Sequence, residues 1–138
     1  MSRKDDAVAM HREGFNCAQA VLASCADLCG IDENTAKAVA GGFGGGLRCG
    51  EACGAMCGGV MALGLAFPYV DKDDKIYKNL IATLTKKYTA AFGERYGCLA
   101  CRDLQAAYGG NQICPELIAG ACQLAEDMIT AANKKLKK

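Results

Sequence analysis

The chain is predicted to be all-α, a compact bundle of five or six helices joined by short glycine-rich turns. Three observations lead there. Apolar residues recur at three- and four-residue steps along nearly every segment. Glycine clusters and the two prolines punctuate those segments. No stretch shows the sustained alternation of a half-buried strand.

The elements follow in order. From Ala7 to Cys29 the set Val8, Phe15, Ala18, Val21, Leu22, Cys25, Leu28 and Cys29 keeps a helical period, and Gly30 is a natural stop. That reads as one long first helix. Asp32 is placed to cap a short helix through Ala40, and the run Gly41-Gly42-Phe43-Gly44-Gly45-Gly46 breaks it. Helix is expected again from about Cys49 through Met61 to Phe67, stopped by Pro68 and followed by the polar turn from Asp71 to Asp74. With Asp71 or Asp73 as cap, the next helix carries the stripe Ile76, Leu80, Leu84, Tyr88 and Phe92, and Gly93 and Gly97 bracket the turn behind it. A shorter helix from about Cys98 to Tyr108 is closed by Gly109-Gly110. Pro115 suits a first helical position, and Leu117, Ala121, Leu124, Met128 and Leu136 carry the last helix onward.

Residues 1–138 read as a single cysteine-rich helical domain, because the length fits one domain and no linker-like stretch divides it. Sixteen basic and fifteen acidic residues leave a net charge of +1, too little for nucleic-acid binding, and no apolar run is long enough to insert in a membrane. The Lys134–Lys138 tail reads as a solvated helix end. An N-terminus that turns at once to charged residues leads us to expect a cytoplasmic protein with its thiols reduced.

Ten cysteines in 138 residues make thiol chemistry the first functional question. Cys49, Cys53 and Cys57 recur every four residues. On a helix formed from Cys49 they would share one face, spread over about 12 Å of rise, too far for all three to ligate one ion. Disulfides within a helix are disfavoured, since i,i+4 Cβ atoms sit about 6 Å apart and a bridge needs them near 3.8 Å. Cys98-Leu99-Ala100-Cys101 is the only C-x-x-C, but the βαβ context of a thioredoxin-type motif is missing. A helix N-terminus and neighbouring Arg102 would lower the pKa of Cys101. Zinc is poorly served by one histidine, His11, which reads as a surface residue of the first helix, and no C-x-x-C-H exists to attach c-type haem. Packing alone accounts for a buried free cysteine, and Cys25, Cys29 and Cys122 fall on apolar stripes where it would. The glycine run is expected to serve close packing or a hinge rather than an anion cradle, since no strand precedes it and no G-K-[ST] follows.

The stretch Gly42-Phe43-Gly44-Gly45-Gly46, then Cys53-Gly54-Ala55-Met56-Cys57-Gly58 and Met61-Ala62-Leu63-Gly64-Leu65, resembles the C_GCAxxG_C_C family of redox-active proteins over nearly the whole chain. The resemblance implies redox activity and four key cysteines: Cys17 within Phe15-Asn16-Cys17-Ala18-Gln19-Ala20, Cys53, Cys101 within Cys101-Arg102-Asp103-Leu104, and Cys122 in the last helix. A similar module in certain multi-haem cytochromes is associated with an iron–sulfur cluster, so Cys17, Cys53, Cys101 and Cys122 are the expected cluster ligands, serving electron transfer with an unidentified donor or acceptor protein. Cys25, Cys29, Cys49, Cys57, Cys98 and Cys114 are extra to those four, with Cys49, Cys57 and Cys98 as further candidate metal ligands and Cys114 expected to be dispensable. Two alternatives stand beside the cluster. One is a cofactor-free thiol/disulfide oxidoreductase with Cys101 or Cys53 attacking. The other is a Cu(I)-binding bundle in which i,i+4 cysteine pairs, helped by Met56 and Met61, take a soft ion. A homodimer sharing a cluster across its interface is also compatible with so many cysteines.

Overall fold

The computed structural model describes residues 2–137, and these contain eight α-helices and no strand, more helices than the five or six expected. They are α1 (Arg3–Glu13), α2 (Cys17–Ser24), α3 (Ala26–Cys29), α4 (Glu33–Ala40), α5 (Gly54–Ala66), α6 (Lys75–Tyr96), α7 (Cys101–Tyr108) and α8 (Cys114–Leu136), with irregular turns at Gly46–Gly50 and Asn111–Ile113. Lys138, the end of the lysine tail, lies outside the described residues; Lys134 and Lys135 close the last turn of α8.

The expected first helix is three helices, and the breaks have local causes. Gly14 takes a left-handed conformation (φ 119°) that ends α1. Asn16 then caps α2 in a full capping box, its Oδ1 accepting from the Gln19 N–H while Gln19 Oε1 accepts from the Asn16 N–H. A second break at Cys25 separates α2 from α3. Other expectations hold: Asp32 caps α4, Gly109 closes α7 with φ 81°, and Pro115 sits in the first turn of α8. Asp74, rather than Asp71 or Asp73, caps α6, which runs through Gly93 to end at Gly97.

Two segments expected to be helical are not. Residues 46–50 form a distorted turn, with Gly45, Gly46, Leu47 and Arg48 all left-handed, so helix begins only at Gly54 and Cys49, Cys53 and Cys57 do not share a face. Left-handed backbone costs about 1–2 kcal/mol at each non-glycine residue, so Leu47 and Arg48 make this a strained turn. Residues 98–100 are likewise not helical, because Ala100 pairs with Ala52 in an antiparallel bridge and α7 starts at Cys101.

The core is built on α2, α5 and α8, each packed on the other two, with α1 on α8, α4 on α2 and α6 on α5. Glycines and alanines on α5 let its neighbours come close. A Cβ at Gly58 would stand 2.8 Å from the Ala18 carbonyl of α2, and one at Gly59 would occupy the place of the Tyr88 hydroxyl, which donates to the Ala121 carbonyl at 3.1 Å. The starts of these three helices, with that of α7, carry the cysteines discussed next.

Candidate functional site

Four cysteines from four different helices line one small cavity of about 40 Å³: Cys17, Cys53, Cys101 and Cys114, together with Gly45, Gly54, Ala55, Leu104, Gln105 and Leu117. Each occupies the start of a helix. Cys17 is the first residue of α2, Cys53 immediately precedes α5, Cys101 is the first residue of α7 and Cys114 the first of α8. Four helix N-termini therefore meet at one point, and the partial positive charge that each carries favours negative charge there.

The local sequence explains the convergence. Asn16 fixes the start of α2, and its Nδ2 donates to the Gly41 carbonyl at 3.0 Å, while Gln19 Nε2 donates to the Lys37 carbonyl at 3.0 Å, so Cys17 is tied to the end of α4. Cys53 and Cys101 are set opposite each other by the Ala52–Ala100 bridge: the Cys53 N–H donates to the Leu99 carbonyl at 2.8 Å and the Cys101 N–H to the Glu51 carbonyl at 2.6 Å. Glycine is required where these elements touch. A Cβ at Gly54 would lie 2.5 Å from Cys17 Sγ and 2.7 Å from the Phe43 carbonyl oxygen, and one at Gly46 would lie 2.7 Å from Cys101 Cβ. The glycine run thus serves close approach, with Gly44 abutting the Asn16 side chain.

Burial sets the chemistry of these thiols. Desolvation pushes the Cys53 thiol up to about 12, assisted by the neighbouring Cys17 and Cys101 and opposed by the backbone amides of Met56 and Ala55 that face its sulfur. Cys101 is raised first by burial and then by Cys17, with Gln105 Nε2, which donates to its sulfur at 3.4 Å, pulling the other way. Cys114 is raised by burial and by Cys17 and Cys101. The depressed pKa expected for Cys101 is therefore not found. Arg102 is spent elsewhere, its Nη2 donating to the Cys49 carbonyl and to Glu51 Oε2, each at 3.0 Å.

A thiol whose pKa is higher in the fold than in the open chain favours folding below its ordinary value of 9.0, and that contribution disappears as pH rises toward the folded value. Cys53, at about 12, and Cys29, raised by burial to about 11, act in the same direction. The metal-free protein is therefore expected to keep a constant urea midpoint between about pH 7 and 8 and to lose stability steadily above about pH 9. A midpoint unchanged up to about pH 10.5 would contradict this assignment.

The cysteines expected at the site divide. Cys17, Cys53 and Cys101 come together as expected, but Cys122 does not join them: it is fully buried two turns along α8, beside Cys25 and Ser24. Cys114 takes the fourth place at the cavity. Of the additional candidates, Cys57 lies close enough to Cys17 for its pKa to be raised by it, after burial. Cys49 is exposed on the strained turn, and Cys98 packs against the core without lining the cavity. Among the described residues, no group of three or more His, Cys, Asp or Glu side chains that could hold a metal ion is present.

The model of a family described as "Putative redox-active protein (C_GCAxxG_C_C)" matches residues 15–128. The chain belongs to this family. The match extends from just before Cys17 to well beyond Cys114 and Cys122, so all four cavity cysteines lie within the C_GCAxxG_C_C region. No curated protein and no solved structure matches the chain. None of the described helices is long and apolar enough to cross a membrane.

Proposed function

We propose that this C_GCAxxG_C_C protein is an electron carrier in which Cys17, Cys53, Cys101 and Cys114 hold an iron–sulfur cluster. The observation that carries the reading is the meeting of four cysteines, each at a helix N-terminus, around one cavity walled almost throughout by apolar atoms.

The donor set fits such a group in kind and number, since clusters are bound by four thiolates. The helix N-termini suit the negative charge that four thiolates bring. Gly54 and Gly46 let the backbone come against Cys17 and Cys101 where a Cβ would clash with them, which keeps the four sulfurs together. The arrangement does not suit a single ion, and the reading instead spreads the four thiolates over the irons of a cluster. At about 40 Å³ the cavity holds little more than a water molecule, so loading requires its walls to move outward. Gly45, which lines the cavity at the head of the strained turn 46–50, is the part of the wall best able to do so.

When bound, a cluster supplies one-electron transfer at a potential set by its surroundings. The chain's part is to exclude water with Leu104, Leu117 and Ala55, to direct the Gln105 amide at the Cys101 sulfur, and to hold Cys53, Cys101 and Cys114 protonated by burial until metal displaces their protons. Raised thiols favour this reading over a cofactor-free oxidoreductase, which needs an accessible sulfur of lowered pKa; Cys53 is 4% exposed and raised.

Anaerobic purification followed by iron and acid-labile sulfide analysis tests the proposal. Equal amounts of the two, near two or four per chain, are expected. Absence of both after anaerobic reconstitution would overturn it.

A further inference from the structure

Two thiols that the proposed site does not use lie near each other in the core. Cys25 and Cys122 are both 0% exposed. A hydrogen bond of 3.3 Å links Cys122 Sγ to Oγ of Ser24, the residue beside Cys25, and in their shared core the two thiols lie near enough to shift each other's protonation. Their placement repeats a register. Cys25 follows Cys17 by eight positions along α2, and Cys122 follows Cys114 by eight positions along α8. Both helices therefore start at the cavity and run side by side to the buried pair, about 12 Å further on at 1.5 Å per residue.

The surroundings permit a bond between them. Cys25 is the junction where α2 gives way to α3 (φ −99°, ψ 4°), so its backbone is not locked in a continuous helix. On the other side of Ser24 an open cleft of about 740 Å³, lined by Arg3, Met10, Ser24 and Asp27 among others, reaches the wall that covers the pair. Arg3 Nη1 donates to the Ser24 carbonyl at 3.0 Å, which brings a fixed cation to that wall.

We infer that Cys25 and Cys122 form a second redox couple, oxidised by hydrogen peroxide to a disulfide joining α2 to α8 and reopened by a thiol reductant. The Cys122 thiolate attacks one peroxide oxygen, giving a sulfenic acid and releasing hydroxide, which takes up a proton to leave as water. The Cys25 sulfur then displaces the sulfenic oxygen as a second water and closes the S–S bond. Two thiols and one peroxide thus give one disulfide and two waters. Cys122 is the attacking sulfur because it touches Ser24, a residue that lines the cleft by which peroxide arrives. The bridge would fix the helices that begin at Cys17 and Cys114, and so the spacing of half the cavity thiols, although the couple itself does not depend on a cluster.

The experiment treats the purified full-length protein with about one equivalent of hydrogen peroxide, alkylates it in denaturant and maps cross-linked peptides by tandem mass spectrometry. Two of the ten thiols are expected to escape alkylation, in a Cys25–Cys122 link that dithiothreitol removes. The link should persist in C17S, which disables the cavity set, and vanish in C25S. Full alkylation of Cys25 and Cys122 after peroxide, or sulfenic acid at Cys122 that never closes to a bridge, would overturn the inference. The wild-type map decides the question even if C25S fails to fold.

Discussion

Replacing Gly54 with alanine is expected to abolish iron loading and to lower stability together. The new Cβ would stand 2.5 Å from Cys17 Sγ and 2.7 Å from the Phe43 carbonyl oxygen. Neither can yield easily. Cys17 is held by the Asn16 capping box at the head of α2, and the Phe43 carbonyl accepts from the Leu47 N–H at 3.3 Å at the entry to the strained turn. Overpacking of this kind costs about 1–3 kcal/mol, a fall in Tm of roughly 3–12 °C for a domain of this size. Gly64, on the same helix, is the control. A Cβ there meets nothing within 4 Å, so G64A should gain up to about 1 kcal/mol from helix propensity. Thermal melts of the metal-free variants, with iron analysis after reconstitution, would check both; wild-type loading and Tm in G54A would show that α5 and α2 do not meet this closely.

Much of the fold was legible in the sequence because helical periodicity and capping chemistry are local signals. Asp32, Pro115, Gly97 and Gly109 mark boundaries where the structure has them. Boundaries set by tertiary contacts were not legible. Nothing near Cys49 announces that residues 51–53 will pair with residues 99–101, yet that pairing delays α5 to Gly54 and α7 to Cys101. The continuous apolar stripe from Val8 to Cys29 likewise concealed two breaks, because the pieces on either side bury the same general face.

The site divides in the same way. The C_GCAxxG_C_C resemblance led to Cys17, Cys53 and Cys101, which line the cavity, and to Cys122, which lies outside it, while Cys114, expected to be dispensable, lines it. A signal was available. Cys114 directly precedes Pro115 at a helix start, the position that Cys17 holds after Asn16. Cys122 falls on the buried stripe of α8 with Leu117, Ala121, Ala125 and Ile129, and its side chain faces the core rather than the helix end.

That reassignment gives the second large effect. Cys114 contributes one of the four cavity sulfurs, and its loss leaves three thiolates and an incomplete ligand set. Second-sphere losses typically reduce metal affinity about 10–100-fold, and loss of a ligand itself should exceed that. C122S, by contrast, places a slightly smaller polar group against Ser24 and Cys25, a cost in stability borne about 12 Å from the cavity. Iron per chain in anaerobically reconstituted C114S and C122S, measured side by side with the wild-type protein, is the most direct test that four helix-start cysteines form the centre. The account predicts near-zero iron in C114S and near-wild-type iron in folded C122S; full loading of C114S with loss from C122S would contradict it.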